Sequence, residues 1–285
     1  MRLIFLGTGT SAGVPVIACD CRVCTSTDPR DRRLRTGAAL RFTETRPDNS
    51  TRERVILIDA TPDLRQQALT SNLRRCDAIL FTHNHVDHTF GLDEVRRFNA
   101  VQHSPIDIFA DQHTLDHLNR IYAHIFDKHR NINDSFVATL IPRVIQPLTP
   151  FTLFGLTITP LPLLHGKLPI LGYKFELATP TTTSHPPHRP HPPHPLLPLA
   201  YCTDVSAIPP ETWPHLQGLR TLALDALRYR RHPTHLSFNQ AIEIAQQISP
   251  EKTYFIHMTH DIAHAEAEAE LPENIRLAHD GLEIG

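Results

Sequence analysis

The stretch that narrows the architecture furthest is FTHNHVDHTFGLDEV, residues 81–95, where an H-x-H-x-D-H string follows an apolar run. His83, His85, Asp87 and His88 put four good ligands for a first-row divalent metal into six residues. In an extended or turning segment, His83 and His85 can point together while Asp87 and His88 serve a second direction. One ion could not easily use all four, whereas two adjacent ions could. The competing reading is a helix start that happens to be rich in polar residues, and the order of ligand types argues against it.

A second cluster lies near the N-terminus. ACDCRVC (18–24) places Cys19, Cys21 and Cys24 in a short, turn-like stretch. That is most of a closed zinc site, which needs four ligands. Neither Cys76 nor Cys202 has a partner at metal-site spacing. Five cysteines, three of them crowded, favour metal binding in a reducing compartment over a disulfide framework. Cytoplasm is the default location. Cys21 and Cys24 have C-x-x-C spacing, but no strand-then-helix context of a thioredoxin-like pair surrounds them.

The opening MRLIFLGTGTSAGVP reads as a first strand and turn, not a signal peptide. No run approaches the length needed to cross a bilayer, so no membrane partner is expected. With 40% hydrophobic and 20% charged residues among 285, a core is well supplied. A net charge of −2 and a pI near 6.8 give no general attraction to nucleic acid, though they allow a local basic patch. Part of the twenty histidines and twenty-five prolines falls in TPTTTSHPPHRPHPPHPLLP, residues 179–198. His185, His188, His191 and His194 recur there at every third residue and would share one side of a polyproline II helix. A metal-catching tract is one reading; a mobile insertion between strands is the preferred one.

Ten strand-length apolar runs recur: RLIFLG, AALRF, RVILID, DAILFT, IDIFA, LTITPLPL, GYKFEL, LAYCTD, LRTLALDAL and KTYFIHM. Helical patterns fall between some of them. PDLRQQALTSN begins with a proline suited to a first turn, and DEVRRFNAV and DQHTLDHLNRIYAHIF carry apolar residues at helical spacing. In SFNQAIEIAQQI, Ser237 can cap, Gln240 can complete a capping box, and Phe238, Ala241, Ile242 and Ala245 form one stripe. The pattern is α/β with many strands, no visible internal repeat, and a single domain over 1–285.

The H-x-H-x-D-H string resembles the signature of the metallo-β-lactamase-fold hydrolases. That resemblance implies an αββα sandwich of two mixed sheets and three further ligands at strand ends. LPLLHGK offers His165, LAYCTD offers Asp204 and TYFIHMTH offers His257. By resemblance, His83, His85 and His165 hold one ion. Asp87, His88 and His257 hold the other, with Asp204 between them. GTGTSAGVP, CDCRVC, RRLRTGAAL and HMTHD are together similar to the PhnP-type cyclic-phosphate phosphodiesterases. In that subgroup the three-cysteine turn and a histidine three residues after the last catalytic one bind a structural zinc. Here that histidine is His260.

Two ions roughly 3.5–4 Å apart lower the pKa of a bridging water and hold the attacking and leaving oxygens of an in-line displacement. Imidazole-plus-carboxylate ligands suit Zn²⁺ and also Mn²⁺. The implied reaction is attack by a metal-bridging hydroxide on a small phosphodiester, a cyclic one included, with Asp87 among the catalytic residues. By the same resemblance, His235 in YRRHPTHLSFNQAI faces the scissile group as general acid or charge stabiliser; a loop histidine with no such role is the alternative. Asp59 and Asp225 sit at strand ends and read as orienting residues or ordinary turn aspartates, with His232 a weaker companion.

Three other activities compete. A tRNA 3′-processing nuclease of this fold uses a protruding basic arm, and 179–198 carries only Arg189. Nucleic acid is therefore the less favoured partner. Thioester or lactam hydrolysis fits poorly, since lactamases carry cysteine where Asp204 stands and little chain follows His257. A non-catalytic metal-binding module remains the reading from another class. A homodimer is compatible with the chain.

Overall fold

The computed structural model describes residues 1–46, 48–127, 136–178 and 194–285. The first sheet is built from β1 (Arg2–Gly7), β2 (Gly37–Thr45), β3 (Thr51–Ile58), β4 (Ala78–Leu80), β5 (Ile106–Ala110) and β6 (Leu140–Val144). The second comprises β7 (Phe151–Leu153), β8 (Leu156–His165), β9 (Leu168–Leu177), β10 (Leu199–Cys202), β11 (Thr221–Asp225), β12 (Lys252–Ile256) and β13 (Ile275–Leu277). The last described strand, β14 (Glu283–Ile284), returns to the first sheet beside β1, and among the described residues each sheet has seven strands.

Three antiparallel pairings precede three parallel ones in both sheets, β14 to β6 in the first and β7 to β13 in the second. The two halves thus repeat a topology that leaves no repeat in the sequence. Side chains alternate across each strand, so Leu3 and Phe5 enter the layer between the sheets while Ile4 and Leu6 meet the outer helices. Both faces are covered, and RLIFLG is therefore continuously apolar, not alternating.

The first sheet's outer face is covered by α1 (Leu64–Thr70), α3 (Arg96–Gln102), α4 (Gln112–Ile121) and α5 (Ala123–Phe126), through Leu64, Phe98, Leu115 and Ile125. A short α2 (Val86–Thr89) carries the end of the His/Asp string. On the second sheet, α6 (Phe238–Ile248) buries Phe238, Ala241, Ala245 and Ile248, and α7 (His264–Glu270) adds Ala267. The expected capping box is present, with Ser237 Oγ accepting from the Gln240 N–H and the Gln240 side chain accepting from the Ser237 N–H. This is the αββα sandwich of two mixed sheets that the resemblance implied.

One local expectation needs correction. The single helix expected over DQHTLDHLNRIYAHIF breaks at Tyr122 (φ −101°, ψ 38°), whose buried hydroxyl donates to the Thr89 carbonyl at 3.0 Å. Of the 179–198 segment, including His185, His188 and His191, residues 179–193 lie outside the described residues. At its described end, Leu196 and Leu197 are buried between the sheets and Arg220 donates to the His194 carbonyl. Among the described residues, no helix is long and apolar enough to cross a membrane.

Candidate active site

Strand ends deliver the ligand-type residues. Asp59 follows β3, the 81–88 segment follows β4, Asp204 follows β10, Asp225 ends β11 and His257 follows β12. His165 arrives at the end of β8. The carboxyl ends of parallel strands are where open α/β sheets place their ligands. Asp59, Asp204 and His257 turn the chain there with φ of +64°, +57° and +63°. That region costs a non-glycine residue about 1–2 kcal/mol. Such strain persists only where the surroundings over-determine it, and it gathers at functional sites.

The imidazoles are oriented from behind. His88 donates from Nδ1 to Asp59 Oδ2 at 2.7 Å, and His83 donates from Nδ1 to Thr82 Oγ1 at 2.9 Å. Thr82 passes the load on, its hydroxyl and N–H both donating to Asp59 at 2.9 and 2.8 Å. His165 donates from Nδ1 to the Thr234 carbonyl at 2.7 Å, and His257 Nδ1 lies 3.4 Å from Asp225 Oδ1. Nδ1 is thus engaged in His83, His88 and His165, which leaves Nε2 as the nitrogen free for a ligand, while His257 Nδ1 makes no hydrogen bond among the described residues. Nε2 of His83, His88 and His257 is buried without a hydrogen-bond partner.

Those nitrogens converge on carboxylates. His88 Nε2 lies 3.3 Å from Asp87 and 3.2 Å from Asp204, and His257 Nε2 lies 3.2 Å from the other Asp204 oxygen. One ligand atom each from His83, His85 and His165 falls within 4.8 Å of the others, as does one each from Asp87, His88, Asp204 and His257. Orphaned buried imidazole nitrogens around shared carboxylates are what divalent ions need, and the donor set fits them.

The electrostatics agree. Burial opposes a charge on His88, but Asp204, Asp59 and Asp87 outweigh it and hold the ring well above its usual pKa. Burial, with His88 beside it, drives His83 well below. Burial also pushes Asp204 up, yet His257 and His88 win and keep it well below the carboxylate range. Burial raises Asp59 and Asp225.

His235 closes one side. Its side chain is 9% exposed, with Nδ1 3.4 Å from Asp225 Oδ2. The ring stacks on His257 at 4.8 Å and meets His165 edge-on at 4.5 Å. Asp225 therefore faces both His235 and His257. His232 stands further out, its ring 5.3 Å from His235 and its Nδ1 3.1 Å from the Thr234 hydroxyl.

The cysteine turn makes a separate cluster. Cys19, Cys21 and Cys24 place their sulfurs 3.2, 3.5 and 3.5 Å from His260 Nδ1. Tetrahedral Zn–S and Zn–N bonds of about 2.3 and 2.0 Å separate S from N by about 3.5 Å. The spacing fits a Cys₃His zinc site. The Cys24 N–H, above all, draws the Cys21 thiol down to about 6, while burial pushes Cys24 up to about 11. Buried Arg33 anchors the loop that brings His260, donating to the Thr259 and Ile262 carbonyls at 2.9 and 2.8 Å.

The structure brings every sequence-derived site residue into one of these two clusters, with His232 at the rim of the first. Sequence reasoning missed Thr82, Thr234 and Arg33. Thr82 adjoins the motif and could have been weighed as a hydroxyl beside a ligand. Thr234 acts through its backbone, which no residue pattern encodes.

Residues 54–258 match the family described as the Beta-lactamase superfamily domain. The fold superposes on the crystal structure of a new diphosphatase from the PhnP family with a TM-score of 0.82 and 36% identity, covering 100% of this chain and 97% of that one. Zn(2+)-bound PqqB from Methylobacterium extorquens shares the fold at a TM-score of 0.71 and 19% identity, with 100% of both chains covered. A Porphyromonas gingivalis protein named octanoyltransferase is 36% identical over 99% of this chain but only 51% of its own length. The chain spans about half the length of the curated relatives it matches. Family match, fold and identity agree: the chain belongs to the beta-lactamase superfamily and, within it, to the PhnP family, with a metallo-β-lactamase fold.

Proposed function

We propose that the protein is a metal-dependent phosphodiesterase acting on a small phosphodiester, cyclic ones included. The observation that carries the reading is the ring of imidazoles fixed through Nδ1, whose bare Nε2 atoms surround Asp204 and Asp87 with His235 alongside. His83, His85 and His165 would hold one divalent ion, Zn²⁺ or Mn²⁺, and Asp87, His88 and His257 a second, with Asp204 serving both. Such ions activate water and neutralise charge on phosphoryl oxygens.

The remaining work falls to side chains. Asp59, Thr82, the Thr234 carbonyl and Asp225 keep the ligating rings in one tautomer and orientation. His235 turns Nδ1 towards Asp225, which leaves its other ring nitrogen for the departing oxygen. Burial lowers the His235 pKa, while Asp204 and Asp87 pull it up. An arriving phosphodiester anion adds negative charge and favours the protonated ring that a general acid needs. The cysteine cluster would hold a structural zinc beside the loop carrying His257.

Octanoyl transfer through a covalent cysteine finds little support, because Cys76 and Cys202 are fully buried and the other three thiols surround His260. The test is hydrolysis of an aryl phosphodiester by protein reconstituted with Zn²⁺ or Mn²⁺, with an octanoyl donor and a 3′-extended RNA as parallel arms. Turnover of the diester that disappears in Asp204→Ala is the expected result. Turnover only of the RNA or the octanoyl donor, or none in metal-loaded protein, removes the small-diester reading.

A further inference from the structure

The loop between β11 and α6 carries a cation that the mechanism above leaves unused. Arg228 lies three residues beyond Asp225 and seven before His235. Its backbone is held in place, since the Phe238 N–H donates to the Arg228 carbonyl at 2.8 Å and Arg228 bridges to Ser237 at the start of α6. The neighbouring Tyr229 ring packs on Phe238 at 5.2 Å. The Arg228 side chain is not paired in the same way. Its Nε is buried with no hydrogen-bond partner, and among the described residues the guanidinium has no carboxylate within ion-pair distance. The acid of this region, Asp225, is already shared by His235, His257 and the Leu236 N–H.

Other donors gather around it. Arg228 shares its loop with His232 and His235, and its positive charge disfavours a proton on either ring. Across the rim, Gly166 lies hard against Thr234, where an added Cβ would meet the Thr234 methyl at 2.8 Å. The β8–β9 turn therefore abuts this loop at Thr234. A planar fork of N–H donors without an acid, in the same loop as two imidazoles, is suited to an oxyanion, and guanidinium suits phosphate best.

We propose that Arg228, with His232 beside it, forms a binding subsite for phosphoryl oxygens at the rim of the metal cluster, resting on the phosphodiesterase reading above. Two phosphates could fill it: the scissile diester, or a second phosphate on the same substrate.

The test compares wild type with Arg228→Ala and Arg228→Lys, all metal-loaded. Inorganic phosphate affinity is measured by calorimetry, and kinetics are run on an aryl phosphodiester with and without an added phosphomonoester. Loss of a charge-assisted bond predicts phosphate affinity and kcat/KM falling about 10- to 100-fold in Arg228→Ala, chiefly through KM, with metal content unchanged and partial recovery in Arg228→Lys. Equal losses on both substrates assign the subsite to the scissile phosphate; a larger loss on the phosphate-bearing one assigns it to the second. Unchanged phosphate affinity and unchanged kcat/KM overturn the proposal. If Arg228→Ala does not fold, Arg228→Gln carries the same readouts. Phosphate binding needs no turnover, so failure of wild type to hydrolyse either diester removes the phosphodiesterase reading and leaves this measurement standing.

Discussion

The two ligand clusters are built on opposite plans. In the deep one, residues from six strand ends on two sheets meet, and Asp59, Thr82, Asp225 and a backbone carbonyl hold the rings. In the outer one, three of four ligands come from one turn and the fourth from a single loop. Its sulfurs are oriented by N–H groups of the same turn, with Val16 and Cys24 donating at 3.3 and 3.5 Å. The deep cluster is therefore a product of the fold, paid in backbone strain at three positions. The outer one shapes a segment with a small core of its own, Val14, Val23 and Cys24. Metal loss should leave the first as a preformed cavity and loosen the second.

The largest effect that would break this contrast is expected at Asp204. Asp204→Ala should cut turnover by about 10³-fold or more, since several kcal/mol of charge stabilisation depend on it. Elemental analysis should find the deep ions depleted and the cysteine-bound one retained; loss of both would mean the clusters are not independent.

His235→Ala should lower kcat by roughly 10²–10⁴-fold on an alkyl leaving group and much less on an aryl one, as loss of an acid predicts. An equal loss on both would assign His235 to charge stabilisation. Asp59→Asn probes the support behind His88 and His83, and metal affinity or activity should fall about 10- to 100-fold. Equilibrium dialysis against zinc measures it, and unchanged affinity would show that ring orientation does not depend on Asp59.

Cys24→Ser should lower the melting temperature and release one zinc while sparing most turnover, with a loss under about tenfold if the deep cavity is preformed. A loss as large as that of Asp204→Ala would sink the contrast. Turnover should change least at Asp280, which accepts from the Leu34 N–H and Thr8 hydroxyl at 2.7 and 2.8 Å. Burial raises its pKa from 3.8 to about 7. The folded state then binds the proton more tightly than the unfolded one, so stability is full near pH 4 and falls as pH rises towards 7. Asp280→Asn should flatten that slope by a few kcal/mol at most; urea melts at pH 4.5 and 7.5 decide it, and an unchanged slope would remove Asp280 as the cause.

Ten strands were legible as apolar runs because both their faces are covered. The four that were not, β6, β7, β13 and β14, are the four sheet edges. β7, β13 and β14 have three residues or fewer, and β6 and β7 expose much of their length. An edge strand pairs on one side only and needs no continuous apolar run, so its sequence carries little signal. The break at Tyr122 was hidden for a related reason, since helical spacing continues through it and nothing in the neighbouring residues marks the change in backbone angles.

The sequence by itself determined the chemistry of the site: which residue types it holds, that they suit two divalent ions, and that three cysteines want a fourth ligand. Those follow from side-chain identity and local spacing. Only the tertiary structure decided which nitrogen of each ring faces inward, that Asp225 is shared by His235 and His257, and that Arg228 is left without an acid. Each depends on groups from separate strands and on backbone carbonyls, whose meeting is fixed by packing and not by the residue that precedes or follows.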